Sequence, residues 1–343
     1  CMFVIVHNII IEKLRIYYYK FSITIKKNTS FINIFMISIL FPGQGSQIIG
    51  MAREFYDNFD FVRNYFSEAD EILKKKLGKI ILEGPKNELD QTENTQPAIF
   101  LASYSIFKVL EKETKFSLLK TKYYAGHSLG EYSALCCANS INFEQTIKLL
   151  KYRGQAMQNA LPKGEGGMVA VLGVDIEEIN NMIDEIANNQ CYIANDNSNG
   201  QIVLSGKLDS LDTFCIHLKK KNIKYVKLQV SAPFHCPLMS EATEQMRKRI
   251  LNTEFNKPEI HIISNVTAKP SNDPIEIKKL LIEQIEKPVR WRESIINMIN
   301  LDINQFVEIG PGKVLSGLVK RIDRNVETIQ VNNIEDLKNL KNI

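Results

Sequence analysis

Histidine and cysteine are scarce in this chain of 343 residues, which contains five histidines and six cysteines. The cysteines stand at positions 1, 136, 137, 191, 215 and 236 and form no C-x-x-C pair, so zinc-ribbon and thioredoxin-like sites are excluded. We therefore expect no metal site. Unpatterned cysteines of this kind are typical of a protein from a reducing compartment.

Beyond residue 35 the chain has no excess of either charge. Residues 1–35 contain five of the 43 basic residues and one of the 39 acidic residues, which accounts for the whole net charge of +4. The remaining 38 basic and 38 acidic residues form no basic stripe with interleaved aromatic residues. Nucleic-acid binding is therefore not expected.

Residues 1–35 also lack glycine, proline and any long apolar run. The run Met2–Val6 is far shorter than the roughly 20 apolar residues that cross a membrane. The order of charged and apolar residues does not match a secretory signal peptide. We interpret residues 1–35 as an extension in front of a true start at Met36, and a cytoplasmic bacterial protein is expected. The alternative is a transit peptide, with a plastid or mitochondrial matrix location.

From Ile37 onward, short apolar runs alternate with amphipathic stretches, a pattern typical of an α/β fold. "ISILF" (37–41) predicts a buried strand, and "NTQPAIFLASYSIFKVLEK" predicts a helix that Pro97 opens. Glycine and proline cluster in "LPKGEGG" (161–167), which marks an internal boundary.

The segment after this boundary has a pattern of its own. It predicts the order strand-helix-strand-strand-helix-strand, with the last strand at Val226–Val230, which is the ferredoxin-like order. We therefore predict a hydrolase-like α/β large domain with a parallel sheet over residues 36–163 and 232–343. A small ferredoxin-like subdomain over residues 164–231 interrupts it.

The string Gly126-His127-Ser128-Leu129-Gly130 lies between a predicted strand and a predicted helix. Gly-x-Ser-x-Gly in this position is the pattern of a nucleophile elbow, which raises the serine hydroxyl above the sheet. The helix that follows points backbone N–H groups at a developing oxyanion. The alternative is a turn of small residues that packs a helix onto a sheet.

A serine nucleophile needs a base, and the five histidines make the search short. His7 lies in the extension, His217 in a lysine-rich helix, and His261 at the start of a strand. His127 is adjacent to Ser128, so its side chain is expected to point away from the hydroxyl and to shape the pocket. His235, in the proline-bracketed loop "SAPFHCPLM", is the best candidate for the base.

Five segments occur in an order that resembles a known family. They are "LFPGQGSQ" (40–47), "AGHSLGEYSAL" (125–135), "YRGQAMQ" (152–158), "SAPFHCPLM" (231–239) and "VEIGPGKVLSGLVKRI" (307–322). Together they are similar to the malonyl-CoA:acyl carrier protein transacylases, acyltransferases of fatty-acid and polyketide synthesis. The likeness runs from Ile37 to about Ile322.

The resemblance implies a role for each matching residue. Ser128 would be the nucleophile that becomes an acyl-serine, and His235 its general base. The backbone carbonyl of Gln284 would orient the histidine in place of an aspartate, and the backbone N–H groups of Gln44 and Leu129 would form the oxyanion hole.

Arg153 would grip the malonyl carboxylate, because a guanidinium pairs with a carboxylate through two hydrogen bonds. Without the motif context, a solvated helix arginine would be the ordinary interpretation. Phe234 would crowd a 2-methyl group, and Met157 and His127 are assigned to the substrate pocket. Lys320 and Arg321 are candidates for docking an acidic carrier protein.

The expected reaction moves a malonyl group from malonyl-CoA to the phosphopantetheine thiol of acyl carrier protein, for fatty-acid biosynthesis. No resident cofactor is expected, and we expect a monomer. Two alternatives keep the same broad fold: a serine hydrolase or thioesterase, and a polyketide-type acyltransferase with another acyl-CoA preference. A non-catalytic carrier-binding module and an acyltransferase domain of a larger synthase are further alternatives.

Overall fold

The described part of the chain contains ten strands in two sheets. The computed structural model describes residues 36–114, 121–162, 164–186, 190–230 and 232–340, so the interpretation of residues 1–35 lies outside it. The strands are β1 Ile37–Phe41, β2 Thr121–Gly126, β3 Gly166–Leu172, β4 Cys191–Ser198, β5 Gln201–Lys207, β6 Lys224–Lys227, β7 His261–Ile263, β8 Pro270–Ser271, β9 Gln305–Ile309 and β10 Glu327–Val331.

Helices fill the connections between these strands. They are α1 Arg53–Asn58, α2 Asp60–Leu73, α3 Leu77–Glu83, α4 Lys86–Leu89, α5 Thr92–Glu113, α6 Gly130–Cys137, α7 Phe143–Asn159, α8 Ile176–Glu185, α9 Leu208–Lys220, α10 Ser240–Asn252, α11 Pro274–Glu283, α12 Trp291–Asn300, α13 Val314–Ile322 and α14 Asp336–Asn339, with a 3₁₀ turn at Pro237–Met239. Among the described helices, none combines the length and the apolar content that a bilayer crossing requires.

The large sheet has the strand order β10-β9-β1-β2-β7-β8, and only the β7–β8 pair is antiparallel. All five residues of β1 are buried, as expected for a parallel strand that is covered on both faces. Phe41 of β1 packs against Phe107 of α5, with ring centroids 6.1 Å apart. Leu40 joins a core cluster with Trp291 of α12 and Leu315 of α13.

The small sheet has the order β4-β5-β3-β6, with every neighbouring pair antiparallel. Its core is closed by apolar residues of α8 and α9, among them Met182 and Phe214. This is the ferredoxin-like arrangement. The predicted α/β fold with a parallel main sheet and a ferredoxin-like insertion is therefore confirmed. The strands and helices of the insertion fall within residues 164–231, and the exact division of the chain into domains stays a prediction.

Two predicted element boundaries are wrong. Helix α5 begins at Thr92, five residues before Pro97, so Pro97 lies within the helix and does not open it. The last strand of the insertion is Lys224–Lys227, not Val226–Val230. The apolar residues beyond it, Leu228 and Val230, line a cavity beside Ser128, so their hydrophobicity belongs to the site and not to a strand.

Strand β4 of the small sheet is bound to the segment that leads into α12. The backbone N–H of Asp196 donates to Val289, and the backbone N–H of Val289 donates to Ala194, at 3.0 and 2.8 Å. Nε of Arg292 donates to both carboxylate oxygens of Asp196 at 3.0 Å. Asn197, near the end of β4, also contacts His127, which directly follows β2. The end of β4 therefore lies at the carboxyl edge of the large sheet, where a parallel α/β sheet binds its ligands.

Candidate active site

Ser128 stands in the tight turn between β2 and α6, with φ at +53°. A left-handed conformation is unfavourable for serine and is maintained only where the surroundings enforce it. The surroundings of the two flanking glycines are tightly packed. A Cβ on Gly126 would lie 1.9 Å from the carbonyl carbon of Gly130, and a Cβ on Gly130 would lie 2.2 Å from the carbonyl oxygen of Phe41. The turn therefore has the geometry of a nucleophile elbow.

His235 lies beside this hydroxyl, in the loop before the 3₁₀ turn. Its Nε2 is 2.8 Å from Oγ of Ser128, and its Nδ1 is 2.7 Å from the backbone carbonyl oxygen of Gln284. A carbonyl oxygen only accepts hydrogen bonds, so Nδ1 carries the proton and Nε2 is free to accept one from the serine. Burial and the charge of Arg153 lower the pKa of His235 from 6.5 to about 3, which keeps the imidazole neutral.

Arg153 extends from α7 to the same hydroxyl and is almost completely buried. Its Nη1 donates to Oε1 of Gln96 at 2.9 Å, and its Nη2 donates to Oε1 of Gln284 at 2.8 Å and to Oγ of Ser128 at 3.1 Å. Within the described ranges, Arg153 forms no ion pair. A buried cation without a carboxylate partner, next to a serine hydroxyl, is suited to bind an anionic group.

Gln284 links these groups through both its backbone and its side chain. The side-chain Nε2 donates to the carbonyl oxygen of Ser128 at 3.0 Å and to Oε2 of Glu131 at 2.8 Å. Asn265 completes the network: its Oδ1 accepts from the backbone N–H of Ser128 at 2.7 Å, and its Nδ2 donates to the carbonyl oxygen of Gly126 at 2.7 Å. The elbow is thus fixed by side chains from outside its own motif.

A cavity of about 150 Å³ lies in front of Ser128. It is well below the roughly 300–1,000 Å³ of pockets that hold drug-sized ligands, so it suits a short group. Most of the candidate residues line it together: Gln44, His127, Ser128, Leu129, Arg153, Met157, Phe234 and His235. A cleft of about 1190 Å³ shares Gln44, Met168, Leu228 and Val230 with this cavity.

The predicted pocket residues contribute in different ways. Nε2 of His127 is 2.9 Å from Oδ1 of Asn197 in β4, so its side chain connects the elbow to the small sheet. Met157 and Phe234 are buried in the cavity wall. Gln284 lies behind the cavity and is completely buried.

The two docking candidates lie away from this cavity, on the last turn of α13. Both are exposed, and both already donate hydrogen bonds within the chain. Nζ of Lys320 donates to the carbonyl oxygen of Val326 at 2.6 Å, and Nη1 of Arg321 donates to Oε1 of Gln201 at 2.6 Å. Their role in docking stays a prediction.

Sequence reasoning missed three residues of the site: Gln96, Glu131 and Asn265. Gln96 and Asn265 carry no pattern that separates them from other polar residues near strand or helix ends. Glu131 follows Ser128 at the spacing of a helix capping box, which offers a purely structural explanation for it. As for metal ligands, the described residues contain no cluster of three or more that could hold an ion.

Comparison with known proteins places this chain in a family. A family model described as an acyl transferase domain matches residues 39–338. The malonyl CoA-acyl carrier protein transacylase of Bacillus subtilis (strain 168) is 41% identical over 305 residues, which cover 88% of this chain and 95% of that protein. The chain belongs to the malonyl-CoA:acyl carrier protein transacylase family. The resemblance of the five motifs is confirmed, and the protein is an acyltransferase.

Other members of the transacylase family agree in sequence and in fold. The transacylase of Haemophilus influenzae is 39% identical over 87% of this chain and 95% of its own length. The crystal structure of the acyl-carrier-protein-S-malonyltransferase from Bartonella henselae superposes with a TM-score of 0.86 at 40% identity, covering 88% of this chain and 97% of that one. A solved complex of a type II PKS acyl-carrier protein with its malonyl-transacylase also matches, with a TM-score of 0.86 and 36% identity. The match covers 89% of this chain and 99% of that one.

Proposed function

We propose that the protein transfers a malonyl group from malonyl-CoA to the phosphopantetheine thiol of acyl carrier protein through a malonyl-Ser128 intermediate. The observation that carries the proposal is the position of Arg153, a buried guanidinium 3.1 Å from Oγ of Ser128 without an ion-pair partner among the described residues. A carboxylate on the acyl group can pair directly with this cation, and a neutral acyl group cannot.

In the first half-reaction, Nε2 of His235 takes the proton of Ser128 as Oγ forms a bond to the thioester carbonyl carbon. The backbone N–H groups of Leu129, at the start of α6, and Gln44 stabilise the oxyanion. Collapse of this intermediate breaks the carbon–sulfur bond. The CoA thiolate leaves and takes the proton back from His235.

In the second half-reaction, the carrier thiol gives its proton to His235 and its sulfur attacks the malonyl-serine carbonyl. The carbon–oxygen bond to Ser128 breaks, and Oγ regains the proton. CoA leaves before the carrier thiol reacts with the acyl-serine, so the kinetics are ping-pong. The large cleft that adjoins the cavity gives both long thiol-bearing arms a route to Ser128.

The shape of the cavity also bears on the choice of acyl group. Phe234 lies in its wall beside His235, where its ring crowds a substituent at carbon 2 of the acyl group. Discrimination by one methyl group is worth about 1–3 kcal/mol. We infer a preference for malonyl over methylmalonyl of that size.

Intact-mass spectrometry tests the proposal directly. Incubation with malonyl-CoA should add one malonyl group to the enzyme. When carrier protein is then added, the enzyme should lose this group and the carrier protein should gain it. Ser128→Ala should abolish the adduct, whereas Ser133→Ala, a change on α6 at a buried serine outside the cavity, should keep it. Hydrolysis of the adduct at an equal rate with and without carrier protein would favour the serine hydrolase alternative.

A further inference from the structure

Glu131 is a buried carboxylate that the proposed reaction does not use. It lies on the first turn of α6 and is 2% exposed. Its Oε2 accepts from Nε2 of Gln284 at 2.8 Å and from the backbone N–H of Asn265 at 3.0 Å. Among the described cations, none forms an ion pair with it.

A capping role does not account for this residue. In a capping box, Glu131 would accept a hydrogen bond from the backbone N–H of Ser128. That N–H instead donates to Oδ1 of Asn265 at 2.7 Å. The carboxylate is therefore turned away from its own helix end and toward Gln284.

The amide of Gln284 separates Glu131 from Arg153. Its Nε2 donates to the carboxylate of Glu131, and its Oε1 accepts from Nη2 of Arg153, each at 2.8 Å. The site thus buries one anion and one cation, with a single neutral amide between them. Burying an isolated charge is costly, so each charge stabilises the other.

We propose that Glu131 is a positioning residue that supplies the counter-charge of Arg153, and that Gln284 holds the two charges apart so that the guanidinium stays available to a carboxylate on the acyl group. A direct ion pair would compensate Arg153 equally well but would occupy its hydrogen-bond donors. The inference rests on the proposed malonyl transfer, in which Arg153 receives that carboxylate.

The charge state of Glu131 sets the conditions for a test. Burial raises the pKa of Glu131 to about 7, while the hydrogen bonds from Asn265 and Gln284 and the charge of Arg153 act in the opposite direction. Assays at pH 8 keep the carboxylate ionised.

The decisive variant exchanges the two side chains, Glu131→Gln with Gln284→Glu. The exchange conserves net charge and volume, and it keeps the backbone carbonyl that faces His235. It places the carboxylate directly on Arg153, so kcat/KM for serine acylation by malonyl-CoA should fall roughly hundredfold or more, mainly through KM. Acylation by acetyl-CoA, which has no carboxylate for Arg153, should fall much less, so the malonyl-to-acetyl ratio is the quantity to compare.

Two single variants complete the design. Glu131→Gln should lower kcat for malonyl-CoA about tenfold more than kcat for acetyl-CoA, because Arg153 keeps its charge but loses its fixed position. Glu308→Gln is the control: Glu308 is also buried and accepts two backbone N–H groups, from Leu315 and Ser316, but lies outside the cavity wall. It should lower stability without altering the malonyl-to-acetyl ratio.

Three outcomes overturn the inference: malonyl acylation within threefold of wild type in the exchanged variant, equal losses for both thioesters, or a changed ratio in Glu308→Gln. The wild-type enzyme separates this inference from the proposed function. If wild type takes no malonyl group, the proposed function fails. If wild type and the exchanged variant take it equally well, only the role of Glu131 fails.

Discussion

Replacing His235 by asparagine should remove a pH-dependent part of the stability of the protein. In the folded state burial and Arg153 lower the pKa of His235 from 6.5 to about 3, so the unfolded chain binds more protons between these values. Stability contributed by the neutral imidazole is therefore complete above pH 6.5 and is lost as the pH falls toward 3. Each pKa unit corresponds to about 1.4 kcal/mol, and half of the unfolded chains already carry this proton at pH 6.5, so the loss between pH 6.5 and 4.5 is about 2 kcal/mol.

The contribution of Glu131 to stability changes with pH in the opposite direction over part of this range. Its pKa is raised from 4.5 to about 7, so its contribution to stability is present below pH 4.5 and is lost as the pH rises through 7. Wild type and His235→Asn share this contribution. The contribution of Glu131 therefore cancels in the difference between their free energies of unfolding, and this difference reports the contribution of His235 alone.

Urea denaturation measures this difference, and the fluorescence of the only tryptophan, the buried Trp291, reports on it. The free energy of unfolding of wild type minus that of His235→Asn should fall by about 2 kcal/mol between pH 6.5 and 4.5. Ile179→Val, in the core of the small sheet, is a non-titrating control whose cost of about 0.5–1.5 kcal/mol should not vary with pH. A difference for His235→Asn that stays constant over this range would refute the neutral buried base.

Arg153→Ala should lower malonyl transfer about 10²–10³-fold while acylation by acetyl-CoA persists or rises, because a buried charge pair is lost only with malonyl. Since Arg153 also lowers the pKa of His235, the acid limb of the acetyl reaction should move to higher pH, and an unmoved limb in pH–rate profiles would contradict this coupling. Gly126→Ala should abolish the acyl adduct in intact-mass assays, because its Cβ would lie 1.9 Å from a backbone carbon. Gly317→Ala on α13, where the Cβ meets open space, should retain it, and equal adducts in both would refute the steric requirement.

The elbow and the base could be predicted because their chemistry requires particular residue types that can be recognised in the sequence. Two glycines at fixed spacing record a turn that has no room for a Cβ, and a small number of histidines made His235 easy to select. Gln284 emerged only through the resemblance. A backbone carbonyl is present at every residue, so no side chain marks the one that orients the imidazole.

The remaining features depend on contacts between distant segments. Asn265 holds the Ser128 turn from 137 residues away in the chain. The apolar pair Leu228 and Val230 alternates like a strand, yet the chain leaves the small sheet at Lys227 and uses both residues in the cavity wall. The sequence shows which residues are apolar. Whether they face a sheet, a core or a cavity depends on the packing of the folded chain.

The carbonyl behind His235 has a consequence for the choice of substrate. A carboxylate in place of the side-chain amide at position 284 would lie close to Arg153, because the side-chain oxygen of Gln284 is already 2.8 Å from Nη2 of Arg153. An ion pair would then form and occupy the guanidinium. The carbonyl of Gln284 fixes the imidazole tautomer from 2.7 Å without adding a charge. Because the backbone carbonyl and the side-chain amide of Gln284 are both neutral, the guanidinium beside the nucleophile remains available to an anionic acyl group.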